Sequence, residues 1–188
     1  MSTAEVFRKL TSALNGAGIA YMLTGSFASA HYGTSRSTQD IDIVIDATVA
    51  QLRRFAQILE RDDYYVDLDA ALEAHRQESM FNVIDRGTGW KIDLIFRKSR
   101  PFSKEEFRRR QAVTLQGLPI FIASAEDVIV AKLEWTKLGG SQRQIEDAAA
   151  IVRARGQALD QSYLEKWITE LGLTKQWILA RQTAGMID

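Results

Sequence analysis

Residues 40–46 read Asp-Ile-Asp-Ile-Val-Ile-Asp, and this stretch narrows what the chain can fold into more than any other. Apolar and acidic residues alternate with a period of two. That is the repeat of a β-strand with one buried face. Ile41 and Ile43 then point into a core, while Asp40 and Asp42 project from the opposite face towards one point.

Two carboxylates side by side repel and raise each other's proton affinity. A divalent cation reverses that local balance. Magnesium suits such a place, because it takes hard oxygen ligands from a few carboxylates and keeps positions for water and phosphate oxygens. Lys91-Ile92-Asp93-Leu94-Ile95 offers a third carboxylate between apolar neighbours in a second expected strand. If the two strands are adjacent, Asp93 joins Asp40 and Asp42, and three carboxylates can hold two metal ions. Upstream, Gly25-Ser26 stands between a short apolar run and an expected helix. Gly25 permits a close backbone approach. Free N–H groups at a helix start bind anions, and the Ser26 hydroxyl can donate to a phosphate oxygen. Arg36, in the loop before Asp40, is a cationic candidate for the same phosphates or for an acceptor.

The remaining pattern alternates helices and strands to about residue 122 and is helical thereafter. Val6, Leu10 and Leu14 at helical spacing, with Phe7 beside them, predict a helix over 3–17 that Gly16 and Gly18 end. A strand is expected over 19–24, then a helix N-capped by Ser26 and reaching about His31. Residues 33–39 read as a polar loop. Helices are expected over 48–60, 68–75 and 103–109. Strands at 80–85 and 90–96 are joined by Arg86-Gly87-Thr88-Gly89, a hairpin turn. Two short strands at 113–115 and 118–122 flank Gly117. Ser124 with Asp127 three positions on starts a helix to about Leu138, and further helices occupy 142–154, 160–170 and 173–184. The division expected is 1–122 as a catalytic core and 123–188 as a helical region packed on it.

Composition closes off several other classes. The 188 residues suffice for one good-sized core, or for a core with a small helical appendage. The absence of cysteine removes disulfides and thiolate zinc sites and fits a reducing cytoplasm. The first ten residues lack the apolar core of a signal peptide, and no apolar run approaches a membrane span, so no membrane partner is expected. Formal net charge is +0, so the whole chain is no electrostatic magnet for nucleic acid. Residues 97–110 depart from this with Arg97, Lys98, Arg100, Lys104, Arg108, Arg109 and Arg110 against Glu105 and Glu106. They form either a solvated face or a phosphate-contacting rim. There is no P-loop, no dinucleotide fingerprint and no nucleophile elbow. His31 is expected to be a partly buried structural residue, His75 has no chemical neighbours in sequence, and Trp135, Trp167 and Trp177 are expected in core or interface.

The order Leu23-Thr24-Gly25-Ser26, then Asp40-Ile41-Asp42, then Ile92-Asp93-Leu94 resembles the DNA polymerase β-type nucleotidyltransferase superfamily. The stretch 25–45, with Arg36-Ser37-Thr38 before the paired aspartates, is similar to the small bacterial and archaeal members, including the AbiEii-like toxin group. Specific motifs cover about residues 19–96. A looser likeness runs from Ser124-Ala125-Glu126-Asp127 through Lys132 to Gln144 and Asp147. The resemblance implies an α/β (α+β) fold, a mixed twisted sheet flanked by helices with a C-terminal helical region. It implies transfer of a nucleoside monophosphate from an NTP to a hydroxyl, with two Mg2+ ions. Asp40 and Asp42 would bind metal, and Asp93 would bind metal and help deprotonate the acceptor. Gly25 and Ser26 would hold the triphosphate. Lys132 and Asp147 would line the cleft or form a salt bridge between helices. The chain lacks the elaboration of a templated polymerase.

Three functional readings follow. The first is an active enzyme whose acceptor is an RNA such as a tRNA end, a protein, or a small molecule such as an antibiotic, in a defence or toxin–antitoxin setting. The second is a non-catalytic, antitoxin-like partner of a small helical protein. The third is a nucleotide-binding module without turnover.

Overall fold

The computed structural model describes residues 3–34, 38, 40–61, 64–139 and 141–186. The alternating acidic segment forms strand β2 (Asp40–Asp46), with Ile41, Ile43 and Ile45 fully buried and Asp40 and Asp46 exposed. The other strands are β1 (Ala20–Leu23), β3 (Tyr64–Val66), β4 (Met80–Asp85), β5 (Lys91–Phe96), β6 (Gln111–Leu115) and β7 (Leu118–Ile122). They join in a seven-stranded sheet of order β3-β4-β5-β2-β1-β7-β6. The sheet is mixed. β2 runs parallel to β5 and β1 parallel to β7, while the remaining neighbours are antiparallel.

Two units divide the chain. The first comprises Met1–Thr24 and Thr38–Ile122, and the second Gly25–Ser37 and Ala123–Asp188. The sheet lies in the first unit with helices α1 (Thr3–Ala17), α3 (Val49–Arg61), α4 (Leu68–Arg76) and α5 (Pro101–Arg108). Its core is the apolar side of the sheet. Tyr21, Leu23, Phe81, Val83, Ile92, Leu94 and Phe96 are buried there beside the β2 isoleucines. α1 contributes Val6, Phe7, Leu10 and Leu14, and α3 contributes Leu52, Phe55 and Leu59. α1 packs on β1, β7 and α3; α3 packs on β3 and α4. Burial of each such large side chain contributes about 1.5–3 kcal/mol before chain entropy is counted. β3 is an element the sequence reading did not contain. Tyr64-Tyr65-Val66 has strand propensity, but three residues are too few to show alternation.

The second unit is helical: α2 (Gly25–Tyr32), α6 (Ala125–Gly139), α7 (Gln142–Arg155), α8 (Gln161–Glu170) and α9 (Thr174–Thr183), with a 3-10 turn at Gly156–Ala158. α2 packs on α6 and α7. Tyr32 anchors it by donating its hydroxyl proton to the Ala123 carbonyl at 2.8 Å. Gly33 follows at φ +130, and a Cβ there would lie 2.5 Å from that of Ala154, so the approach to α7 requires glycine. α6 is capped as the Ser124 and Asp127 spacing implied. The Ser124 hydroxyl accepts from the Asp127 N–H at 3.2 Å and donates to the Asp127 carboxylate at 2.7 Å. No helix among the described residues is long and apolar enough to cross a membrane.

Candidate metal centre

The register of two strands builds the site. β2 and β5 pair in parallel with Asp40 opposite Lys91 and Asp42 opposite Asp93. Paired residues in neighbouring strands share a face about 4.8 Å apart. Asp40, Asp42, Lys91 and Asp93 therefore stand on one face, opposite the buried isoleucines. The antiparallel pairing of β4 with β5 adds Asn82, which stands opposite Asp93. On the far side, the Thr24 N–H donates to the Asp42 carbonyl at 2.9 Å and carries the ladder across to the end of β1. β5 is interior to the sheet, which excludes Asp93 as a device that keeps an edge strand soluble.

Asp93 is buried, Asp42 half-buried and Asp40 exposed, so the group runs from the protein interior to solvent. The Lys91 ammonium lies 2.9 Å from one Asp93 carboxylate oxygen and 3.1 Å from the other. The Asn82 amide donates to the same carboxylate. The bond to Asp93 comes first among the causes that raise the Lys91 pKa; partial desolvation opposes it, and the charges of Asp93, Asp40 and Asp42 add to it. At the strand's entrance, the Thr38 hydroxyl accepts from the Asp40 N–H at 3.2 Å and fixes where β2 begins.

Three carboxylates that share one face of two in-register strands are, by their chemistry, a donor set suited to a hard divalent cation. Among the described residues, no three acidic or histidine side chains are already drawn together as a cation cage. The Lys91 ammonium neutralises part of the buried Asp93 charge. Sequence reasoning missed both Lys91 and Asn82. Lys91 was legible, because it precedes Asp93 by two residues and strand alternation puts both on one face. Asn82 required the β4–β5 register.

Gly25 and Ser26 belong to the helical unit and follow Thr24 directly in the chain. α2 begins at Gly25, one residue before the expected start, with Gly25 at φ +62. That left-handed conformation gives glycine a reason at this turn. Arg36 lies outside the described residues. Lys132 and Asp147 meet at 2.6 Å as a buried ion pair between α6 and α7. His31 is exposed rather than partly buried, its ring edge-on to Tyr32 at 4.9 Å. Partial desolvation and then the Arg155 charge lower its pKa. Trp167 is core, but Trp135 is 62% exposed. Much of the basic stretch is committed to its own chain. Arg97 pairs with Asp46 at 3.1 Å and Arg108 with Glu105 at 2.6 Å. Arg100 lies over Phe102, and Arg110 lies over Phe107 and Phe121. Lys98 and Lys104 are exposed.

No protein-family model matches the chain, and no curated protein matches it in sequence. Solved structures do match. The solution structure of the antibiotic-resistance factor ANT(2'')-Ia is similar over 93% of this chain and 97% of its own, with TM-score 0.59 and 12% identity. An antigenic nucleotidyltransferase-like protein from Paracoccidioides brasiliensis is similar over 100% and 96%, with TM-score 0.58 and 17% identity. The lincosamide antibiotic adenylyltransferase LnuA, in its lincomycin-bound crystal structure, is similar over 80% and 98%, with TM-score 0.51 and 15% identity. At these identities the likeness is one of fold. The chain has the mixed-sheet nucleotidyltransferase fold.

Proposed function

We propose that the protein is a magnesium-dependent nucleotidyltransferase that moves a nucleoside monophosphate from an NTP to a hydroxyl acceptor. The observation that carries this reading is the register of β2 and β5, which sets Asp42 beside Asp93 with Asp40 on the same face. Asp40, Asp42 and Asp93 would hold two Mg2+ ions, which supply charge neutralisation for the triphosphate and the leaving group. The chain's own residues do the rest. Asp93, held at the buried end of the group, takes the acceptor proton. The acceptor oxygen bonds to the α-phosphorus as the bond to the β-phosphate oxygen breaks, and pyrophosphate leaves. Gly25 and Ser26, next in the chain after Thr24, receive the triphosphate through backbone N–H groups and the serine hydroxyl. Arg36 adds a cationic contact to the phosphates or the acceptor. Lys132, kept in place by Asp147, is assigned to the nucleotide side. Residues 1–122 form the catalytic core in this reading and 123–188 its helical region.

The acceptor classes are an RNA such as a tRNA end, a protein, and a small hydroxylated molecule. The solved structures of similar fold include a complex with adenylyl-2''-tobramycin and one with lincomycin, so both antibiotics belong among the acceptors tested. The experiment incubates the protein with each α-labelled NTP, magnesium and, in turn, total RNA, total protein and those antibiotics. Label is expected in one acceptor class, and Asp42→Asn is expected to lower its transfer at least about a hundredfold. Tight NTP binding without transfer or pyrophosphate release from any mixture would sink the enzymatic reading. A cytoplasmic setting and a defence or toxin–antitoxin role belong to this proposal. A neighbouring gene for a small helical protein would favour the partner role.

A further inference from the structure

The Asp93 carboxylate is already engaged by two groups of its own chain. Lys91 spans both of its oxygens, at 2.9 and 3.1 Å, and the Asn82 amide holds the oxygen nearer the ammonium. Lys91 stands opposite Asp40 across the strands, and Asp42 stands opposite Asp93. An ammonium at this place neutralises part of a three-carboxylate group, as a cation would. It differs from Asn82 in carrying charge; both residues are exposed, the Lys91 side chain to 46%, whereas that of Asp93 is 12% exposed. The lysine stem is long and has a free route to solvent. The amide is neutral and can keep its bond to one carboxylate oxygen while the other turns to a new ligand.

We propose that Lys91 is a built-in counter-ion that competes with the divalent cation for Asp93, so that metal loading displaces its ammonium while Asn82 keeps the carboxylate oriented. This rests on the metal-site reading above and adds what sets the site's affinity. Lys91 is a positioning residue in this account, since it acts through Asp93. The exchange is one of charges alone: an ammonium leaves the carboxylate for water and a divalent ion takes its place. The competition has two consequences. Without metal, Lys91 relieves the repulsion among three acids. With metal, the same charge opposes loading, so the affinity is lower than the three carboxylates alone would give.

The test is direct binding of Mn2+ to the full chain, measured by calorimetry and by the loss of the free-ion electron paramagnetic signal, for the native protein, Lys91→Met and Lys91→Arg. Lys91→Met is expected to bind Mn2+ about tenfold more tightly, within the range by which neighbours of metal ligands alter affinity. Lys91→Arg keeps the charge and is expected to stay near the native affinity. In the native protein the Lys91 ammonium resonance is expected to shift when a diamagnetic ion, Mg2+, is added. Lys91→Met should also melt at a lower temperature than the native protein without metal, with the gap closed by Mg2+. Equal or weaker Mn2+ binding by Lys91→Met would overturn the competition and leave the metal site standing. No Mn2+ binding by either protein at millimolar ion would overturn the metal site as well.

Discussion

In the sheet unit, Asp40, Asp42 and Asp93 crowd one face, with a 46% exposed Lys91 side chain as counter-charge. In the helical unit, Lys132 and Asp147 meet at 2.6 Å, their side chains 6% and 9% exposed. Asp127 is fully buried there and accepts from Ser124 and Tyr163. Glu126 accepts from the Asp160 N–H at 3.0 Å. The helical unit thus places its buried charges against fixed partners, as a structure that resists change does. The sheet unit keeps an excess of one sign within reach of water. Such an arrangement is poor for stability and, in the metal-site reading, suited to exchanging ligands, because a counter-charge that reaches solvent is easier to replace than a buried one.

Lys132→Met breaks this comparison most severely. It removes the ammonium that lies 2.6 Å from the buried Asp147 carboxylate, and loss of one partner of a buried pair costs about 3–5 kcal/mol. Urea denaturation should show that loss, and Lys132→Met combined with Asp147→Leu should recover most of it. The double variant separates two roles. If its stability returns and nucleotidyl transfer does not, Lys132 also serves the nucleotide. A cost below about 1 kcal/mol for Lys132→Met would deny the pair its structural role.

A neighbouring expectation is smaller. Tyr163 donates to one Asp127 oxygen at 2.5 Å while Ser124 holds the other. A hydrogen bond to a buried charged group is worth about 1.5–3 kcal/mol. Tyr163→Phe should lose that amount in the same denaturation assay. A change within about 0.5 kcal/mol would show that water or another donor takes the tyrosine's place.

Periodicity is local, and what could be read from the sequence follows that limit. The strand pattern of 40–46 and 91–95 told which residues share a face; β2 and β5 bury Ile41, Ile43, Ile45, Ile92 and Leu94 accordingly, and bury Val44 and Asp93 on the other face as well. It could not tell that Asp42 would stand opposite Asp93, because register joins segments about fifty residues apart. Lys91 obeyed the same alternation and was passed over as the flank of a strand. The grouping of 25–37 with the helical unit was beyond reach. It depends on Tyr32 finding the Ala123 carbonyl and on Gly33 fitting beside Ala154. His31 was misjudged for a related reason. Its helix buries Ala28, Ser29 and Tyr32, which turns position 31 towards solvent.

That Tyr32 anchor has a pH signature. Burial pushes its hydroxyl pKa from 10.0 up to about 12; the Arg155 charge opposes the rise, and Glu126 and Asp127 assist it. The folded protein therefore holds the proton more tightly than the unfolded chain. The stabilisation is complete below pH 10.0 and is lost as pH rises towards about 12. Tyr32→Phe should cost about 1 kcal/mol at neutral pH. It should also remove the part of the alkaline destabilisation that the native protein shows in that window. Ultraviolet titration of native protein and variant would check the pKa itself.

Asp40→Asn should have the smallest effect on stability and the opposite tendency. Asp40 is exposed and shares its face with Asp42 and Asp93, so neutralising it removes two repulsions at the loss of an attraction to Lys91. Exposed charge pairs are individually worth about 0–1 kcal/mol, and here the repulsions outnumber the attraction. The variant should unfold within about 0.5 kcal/mol of the native protein, on the more stable side, in chelator. Adding Mg2+ should then reverse the order. A bound ion stabilises the native protein by mass action, and the variant, short of one ligand, gains less. Melting temperatures in chelator and in millimolar Mg2+ give both comparisons. A large loss in chelator would make Asp40 a structural residue like Asp147, and the contrast between a fixed unit and an exchangeable one would no longer hold.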